Sequence, residues 1–168
     1  AFCFKRRSSI FFTIKLYYMK LQVRKLQESD WEFLPKWWAD YNQQPWIDES
    51  EFRDFLPGAF QIGDYSKSRA GLGGFMVCKD EDPIAAMWLG MTNSNCALPT
   101  AAISDPSYRD EDRKSALQLL TNFVTNFAKE LGYKYSFGWA QENKMLSYYL
   151  NAGYEQFGNK SYEMIKKL

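Results

Sequence analysis

A charged turn between an apolar run and an amphipathic segment carries the residue types best suited to chemistry in this sequence. The apolar run at 97–103 stops just before Asp105-Pro106, and a helical hydrophobic pattern begins near residue 116. The first N–H groups of a helix have no internal partner and favour an anion. The turn also supplies three cationic side chains suited to phosphate, on Arg109, Arg113 and Lys114. This arrangement predicts an anion-binding turn.

The same turn carries three acidic residues, Asp110, Glu111 and Asp112. Acidic side chains in a first turn stabilise a helix start by interacting with its dipole. A well-capped surface helix is therefore the competing interpretation, and the turn alone does not decide between the two.

The composition limits the possible functions. The chain has 168 residues, 46% of them hydrophobic, which indicates one globular domain with a proper core. A net charge of +1 provides no bulk field for nucleic acid. There is no histidine, which excludes Ser-His and Cys-His catalysis and the commonest zinc ligand, so no metal site is expected. The three cysteines show no C-x-x-C spacing, which favours a reduced, cytoplasmic protein.

The first residues differ from the rest of the chain. Residues 1–18 combine a Lys-Arg-Arg run with an apolar stretch that Lys15 interrupts, and no small-residue cleavage site follows. We expect an N-terminal extension at 1–18, outside the fold, and one domain at 19–168. A signal-anchor is the alternative for the extension. No other segment resembles a membrane span.

Hydrophobic periods, prolines, glycines and polar turns predict the elements that must position the turn. In order these are a strand at 21–26, a capping box at 29–32 opening a helix, a helix at 48–56, a loop at 58–74, strands at 74–78, 84–91 and 96–103, a central helix, a strand at 133–139, a helix at 142–152 and a hairpin at 154–165. The three middle strands form a predicted antiparallel meander, in which Pro99 requires an edge, a bulge or a splayed region. The predicted fold class is α+β with a mixed sheet.

The central helix has a predicted buried stripe at the helical period. Its members are Ala116, Leu119, Leu120, Phe123, Phe127 and Leu131. Gly132 is the predicted C′ glycine that ends this helix.

This order of elements resembles the GNAT superfamily of acyl-CoA N-acyltransferases. Two stretches carry the resemblance. Asp105-Pro106-Ser107-Tyr108-Arg109 before a helix is similar to the family's phosphate-turn motif. The stretch from Asn143 to Tyr154 is similar to its Asn…Tyr-x-x-x-Gly-Phe signature, with Tyr149 four residues before Gly153. The resemblance implies a three-layer fold whose mixed, mostly antiparallel central sheet is flanked by helices.

The sequence departs from the family pattern in the phosphate turn. The two places that hold glycine in the family fall on Asp112 and Lys114. Glycine there lets the backbone approach a pyrophosphate closely, and a β-carbon with a carboxylate should weaken that approach. Asn143 also lies one residue nearer to the tyrosine than in the common spacing.

The resemblance implies an N-acetyltransferase that uses acetyl-CoA as co-substrate and a primary amine of a small molecule or protein as acceptor. In that frame Ile103 and Ser104 expose backbone groups to the pantetheine arm. The implied cofactor-binding residues of the turn are Arg109, Asp110, Glu111, Asp112, Arg113, Lys114 and Ser115, together with Asn143. Tyr149 is the implied general acid for the thiolate. Asp105 is the nearest candidate base, with a turn cap or a water relay as alternatives.

Two other functions compete with this hypothesis. A binding protein on the same scaffold, with a decayed acyl-CoA site, is motivated by Asp112 and Lys114. A nucleic-acid or membrane-surface binder would use the basic residues near the two ends of the chain, but the near-neutral charge opposes it. We therefore expect no nucleic acid or membrane partner, and a monomer or homodimer.

The tryptophans near the first helix allow two interpretations. Trp31, Trp37, Trp38 and Trp46 could form an apolar or cationic acceptor pocket, or the core face of that helix.

Overall fold

The computed structural model describes residues 21–42, 49–58, 71–140 and 145–156. Several sequence predictions lie outside these residues: the extension at 1–18, Trp46, Asn143, most of the loop at 58–74 and most of the closing hairpin. No helix within the described ranges is long and apolar enough to cross a membrane.

The described strands form one five-stranded sheet in the order β1-β2-β3-β4-β5. The strands are β1 (Leu21–Lys25), β2 (Gly74–Lys79), β3 (Asp82–Gly90), β4 (Cys96–Ser104) and β5 (Tyr135–Ser136). The first three pairings are antiparallel, which confirms the predicted meander, and β4 pairs with β5 in parallel. The paired part of β5 is much shorter than the predicted strand at 133–139, because it pairs only with Cys96 and Ala97.

The helices begin with a short 3-10 helix (Glu28–Glu32), followed by α1 (Leu34–Asn42), α2 (Glu49–Phe55), α3 (Arg113–Glu130) and α4 (Leu146–Asn151). The predicted capping box starting at Ser29 is wrong. The carboxylate of Asp30 instead accepts the N–H of Gln27 at 2.8 Å and a two-point ion pair from Arg24 at 2.7 and 2.8 Å. Since Asp30 is buried, its charge requires these three donors.

The sheet lies between two helical layers, because successive side chains on a strand point to opposite faces. One face packs against α3 and includes Phe75, Val77, Met87 and Leu89. The other face packs against α1 and α2 and includes Met76, Ala86 and Trp88. This arrangement confirms the predicted α+β, three-layer fold class.

The buried stripe of α3 agrees with the predicted one at Ala116 and Leu120, and Leu119 and Phe127 pack against it, but the other buried members were not predicted. Its buried members are Ala116, Leu120, Thr121, Val124 and Ala128. Small residues in this stripe let the helix backbone lie close to the sheet, and the larger rings remain at its edge. Phe123 and Phe127 contact Phe75 edge-on, with ring centroids 5.0 and 4.9 Å apart, while Phe123 and Leu131 are exposed.

A bulge in β4 turns the end of the sheet toward the candidate site. Trp88 pairs with Thr100 and Ala86 pairs with Ile103, so three steps along β4 match two along β3. Ala101 has a φ of 52°, in the left-handed region that accommodates the extra residue. The irregularity predicted from Pro99 is therefore confirmed.

Beyond Ala97, β4 separates from the segment that follows β5. The N–H of Phe137 donates to the carbonyl of Ala97 at 2.9 Å, and this is the last backbone hydrogen bond between the two segments in the part of the chain that the structure describes. The edge of β4 beyond Ala97 therefore has no backbone partner among the described residues, and we call this unpaired edge, together with the segment after β5, the cleft.

Candidate active site

The turn after β4 is built on Asp105, which links the sheet to the helix start. Its N–H donates to the carbonyl of Ile84 at 2.9 Å. Its carboxylate accepts the N–H of Ser107 at 2.8 Å and the Ser107 hydroxyl at 2.6 Å. This is the hydrogen bonding of an Asx turn. The carboxylate thus has a structural role, and its role as a base stays a prediction.

Arg113, the first residue of α3, fixes the helix start against the end of β4. Its guanidinium donates to Ser104 Oγ at 2.6 Å and to the carbonyl of Tyr108 at 2.9 Å. Ser104 is buried, so its hydroxyl needs this partner. Ile103, which precedes it, is buried as well. The guanidinium of Arg113 therefore braces the turn internally.

The carboxylate of Asp112 is held by two partners. Its Oδ1 accepts the hydroxyl of Tyr108 at 2.6 Å, and its Oδ2 lies 2.8 Å from the ammonium of Lys79. Lys79 also lies 3.3 Å from Asp110 Oδ2. The hydrogen bond from Lys79, and then that from Tyr108, lowers the pKa of Asp112. The pKa of Lys79 is raised in return, chiefly by Asp112.

The Tyr108 hydroxyl remains protonated well above neutral pH. Burial, followed by the hydrogen bond to Asp112, raises the pKa of Tyr108 to about 12. The phenol therefore acts as a hydrogen-bond donor to the carboxylate at any physiological pH.

The start of α3 retains unused donors. Asp112 directly precedes the helix, yet its side chain makes no capping hydrogen bond. The N–H of Arg113 donates to Asp110 and that of Ala116 donates to Asp112. Among the described residues, the N–H groups of Lys114 and Ser115 have no hydrogen-bond partner. Two backbone donors thus point out of the helix end, as an anion requires.

An open pocket of about 530 Å³ lies beside this helix start and is lined by Lys79, Arg109, Asp110, Glu111 and Asp112. Together with Arg113 and Lys114, the turn and β2 bring four cationic and three acidic side chains together. This donor set fits a diphosphate while Asp110 and Asp112 are paired with Lys79. The ammonium of Lys79 offsets the repulsion between these two carboxylates and the negative phosphates.

Tyr149 of α4 lies beside the segment that follows β5. The side chain is buried, and its ring packs against Gly138 and edge-on against Tyr154, with a centroid distance of 4.9 Å. Gly138 directly follows Phe137, where the last hydrogen bond to β4 is made. Burial raises the pKa of Tyr149. The phenol therefore lies, protonated, where β4 and the segment after β5 separate.

The structure brings most of the predicted site residues to two places. Ile103, Ser104 and the turn at 105–115 lie together at the end of β4, whereas Tyr149 lies beside Gly138. Asn143 is outside the described residues.

Sequence reasoning missed Lys79, Gly138 and the hydroxyl of Tyr108. Gly138 carried a usable signal, since a glycine inside a predicted strand indicates a close approach. Lys79 carried none, because its partner Asp110 is 31 residues away in the chain.

The tryptophans near α1 belong to the core. Trp38 stacks on Phe52 with centroids 4.2 Å apart, and Trp31 lies 6.4 Å from Trp88. Trp37 is buried in the same cluster. Their packing supports the second interpretation, in which these side chains form the core face of the first helix and not an acceptor pocket. Arg53 lies over the Trp31 ring at 5.2 Å.

No protein-family profile matches the chain, and no curated protein matches it. Several solved structures match the chain. An acetyltransferase from Trypanosoma brucei has a TM-score of 0.56 and 16% identity, over 86% of this chain and 99% of that one. A glucosamine-6-phosphate N-acetyltransferase from Arabidopsis thaliana has a TM-score of 0.53 and 14% identity, over 88% and 97%. The aminoglycoside N-acetyltransferase AAC(6')-Iy, in complex with CoA, has a TM-score of 0.55 and 12% identity, over 88% and 95%.

The chain therefore has the fold of the GNAT acetyltransferases, as its order of elements predicted. Identities this low show the fold alone, and function has to be argued from the site.

Proposed function

We propose that the protein is an N-acetyltransferase that transfers the acetyl group of acetyl-CoA to a primary amine by direct attack. One observation carries the proposal: the buried Tyr149 phenol packs on Gly138 at the point where β4 and the segment after β5 separate. In an acetyltransferase fold this cleft is where a thioester and an amine would meet. The acceptor would be a small molecule or a peptide.

The turn would hold the diphosphate of acetyl-CoA. The partnerless N–H groups of Lys114 and Ser115 are the donors we assign to it, with Arg109 at the rim of the adjoining pocket. The pantetheine arm would bind along the β5-side edge of β4, which beyond Ala97 has no backbone partner among the described residues. Ile103 and Ser104 were expected to expose backbone groups to this arm, but both residues are buried, so neighbouring side chains would have to move to expose them. Bound acetyl-CoA supplies an activated acyl group, and the protein supplies position and a proton.

Tyr149 would supply that proton. Attack by a neutral amine on the thioester breaks the carbon–sulfur bond and leaves a thiolate, which needs a proton. A buried phenol with a raised pKa keeps its proton at neutral pH and can donate it from its hydroxyl oxygen. The amine proton would leave through water, or through Asp105 if its carboxylate turns from Ser107.

The acceptor class is supported by the similar structures. They include an aminoglycoside N-acetyltransferase and a glucosamine-6-phosphate N-acetyltransferase, both of which act on amines. For this chain we propose only that the acceptor is an amine, because its sequence identity to these two structures is 14% and 12%.

A second candidate function is a binding protein on the same scaffold. The observation that favours it is the non-glycine turn, where Asp112 and Lys114 take the glycine places and three carboxylates line the pocket. Such a protein would not bind acetyl-CoA, whereas the proposed enzyme must.

The proposed activity is tested by measuring release of the CoA thiol from acetyl-CoA in the presence of a panel of amines. The panel should include aminoglycosides, amino sugars and short peptides. The wild type should turn over at least one amine, and Tyr149→Phe should lower kcat about 100-fold, the usual size of a general-acid contribution. Tyr148→Phe, a neighbour on α4 that is only half-buried, is the matched control and should retain activity. Full activity of Tyr149→Phe would remove Tyr149 from the mechanism.

A further inference from the structure

Asp112 occupies the position of a helix N-cap without capping the helix. Aspartate is among the best N-cap residues, since its carboxylate accepts the N–H of the second or third helical residue. In α3 those residues are Lys114 and Ser115. They are the two donors that the proposed function assigns to the diphosphate, so capping by Asp112 would compete with the ligand for them.

Two side chains prevent this competition. The Tyr108 hydroxyl donates to Oδ1 of Asp112 at 2.6 Å, and Lys79 pairs with Oδ2 at 2.8 Å. Each carboxylate oxygen thus has its own partner, and the two partners come from the turn and from the end of β2. Lys79 also offsets the negative charge that Asp112 brings to an anion site.

We propose that Tyr108 and Lys79 are positioning residues that hold the Asp112 carboxylate off the first turn of α3, so that the N–H groups of Lys114 and Ser115 stay available to a diphosphate. This inference rests on the proposed function. It explains how a turn with aspartate in a glycine place can still bind an anion. Glycine at that place needs no such device, because it has no side chain to cap the helix.

Removal of the Tyr108 hydroxyl or the Lys79 ammonium should therefore weaken diphosphate binding, because it frees the Asp112 carboxylate. Asp112 has a helical backbone, with φ of −79° and ψ of −2°, whereas a capping residue is extended. Without the Tyr108 hydroxyl or the Lys79 ammonium the carboxylate is released, and a change of this ψ toward the extended region lets it accept the N–H of Lys114 or Ser115. A phosphate would then have to displace the Asp112 carboxylate from the helix N–H groups. It would also approach a carboxylate whose charge or hydrogen bonding is no longer satisfied by Lys79 or Tyr108. The helix itself should lose nothing, because it gains a cap.

The test is calorimetric titration of CoA into the full chain carrying Tyr108→Phe or Lys79→Met, each with and without Asp112→Gly. Each single variant should bind about tenfold more weakly than the wild type, the scale of one N-cap. Each double variant, with Asp112→Gly added, should bind CoA within about twofold of the Asp112→Gly single variant. This is the result expected when Tyr108 and Lys79 act only through Asp112. Both single variants should remain folded by circular dichroism at the titration temperature, although each loses a partner of Asp112.

Two controls match these changes. Tyr135→Phe removes a hydroxyl from a largely exposed tyrosine on β5. Lys25→Met removes a charge at the opposite end of the β1–β2 ladder from Lys79. Neither should change the affinity. If Lys79→Met fails to fold by circular dichroism, Lys79→Gln replaces it.

The outcomes separate the two claims. Wild-type affinity for CoA in Tyr108→Phe and Lys79→Met would overturn the inference. A loss of affinity that persists after Asp112→Gly would overturn it too, since the side chain at 79 or 108 would then act on the phosphate directly and not through Asp112. In both cases the proposed function stands. Absence of CoA binding by the wild type would overturn the proposed function, and with it the inference.

Discussion

The Tyr149 ring lies so close to Gly138 that any other residue at position 138 would displace the ring. A β-carbon on Gly138 would lie 2.7 Å from Cζ and 2.9 Å from the hydroxyl oxygen of Tyr149. Since β-carbons do not approach other atoms within 3.0 Å, glycine is a steric requirement here. The contact joins α4 to the segment that leaves β5, and it sets where the phenol lies in the cleft.

Gly138→Ala should displace the Tyr149 ring and lower kcat about 10- to 100-fold, because small misplacements of a catalytic group are costly. Affinity for acetyl-CoA should change little, since the turn is far along the sheet. Steady-state kinetics with calorimetry would measure both. Gly132→Ala is the control: it has a φ of 91° and no neighbouring atoms, so it should cost about 1 kcal/mol of stability and leave kcat unchanged. An unaltered kcat in Gly138→Ala would contradict the role of this contact.

The pH dependence of turnover should show no falling limb below about pH 10. A general acid must be protonated, and burial raises the pKa of Tyr149, so the phenol keeps its proton throughout this range. The amine acceptor must be neutral, so kcat/KM should rise with pH as the amine loses its proton. Initial rates between pH 6 and about 10 would measure this profile. A falling limb near pH 8 that Tyr149→Phe abolishes would mean that the phenol titrates too early for this role.

Alkaline pH should destabilise the fold through Tyr108 and Lys79. Tyr108 has a pKa of about 12 in the folded state against 10.0 for the free group, so its contribution is complete below pH 10 and is lost as pH rises toward 12. The pKa of Lys79 is raised as well, so its contribution is also lost at high pH. Urea unfolding at pH 8 and at about pH 11 should show a lower free energy of unfolding at the higher pH. Tyr108→Phe should reduce that difference; an identical difference would show that Tyr108 does not contribute.

Phe52 should be far more important for stability than Phe55, although both lie on α2. Phe52 is fully buried between Trp38 and Trp88, whereas Phe55 is 48% exposed. Phe52→Ala should cost about 3–5 kcal/mol through lost burial and a residual cavity. Phe55→Ala should cost less than about 1 kcal/mol. Comparable losses, measured by urea unfolding, would contradict the packing of α2 on the sheet.

Local chemistry made much of the fold predictable. Pro35 lies in the first turn of α1, Gly132 follows the last turn of α3, and the bulge lies beside Pro99, because proline and glycine act on their own backbone. The meander followed from short polar turns between apolar runs. These signals need no knowledge of distant residues.

The errors arose where distant packing decides. The α3 stripe was predicted correctly at Ala116 and Leu120, but the prediction left out Val124 and Ala128, which are buried. It included Phe123, which contacts Phe75 edge-on and is exposed. The capping box is an exception, because its partners are local: Asp30 accepts the N–H of Gln27, three residues before it, and pairs with Arg24, six residues before it. A single sequence does not show which side chains meet across the sheet.

The candidate site divides in the same way. The turn after β4 and the helix start were predictable, because their residues and charges are contiguous in the chain. The pairing of Asp112 with Lys79 was not, since it depends on the β1–β2–β3 arrangement that brings the end of β2 beside the turn. Our proposal that this turn binds a diphosphate depends on that long-range pair.

The most direct test is calorimetric titration of acetyl-CoA into the wild-type chain and into Lys114→Glu. Lys114 is preferable to Arg113, because Arg113 braces Ser104 and Tyr108 and its loss would distort the turn. Lys129→Glu, at the exposed opposite end of α3, is the matched control. We expect binding in the micromolar range that Lys114→Glu abolishes and Lys129→Glu preserves. Absence of binding at millimolar acetyl-CoA would contradict the enzyme proposal and favour a binding protein on this scaffold.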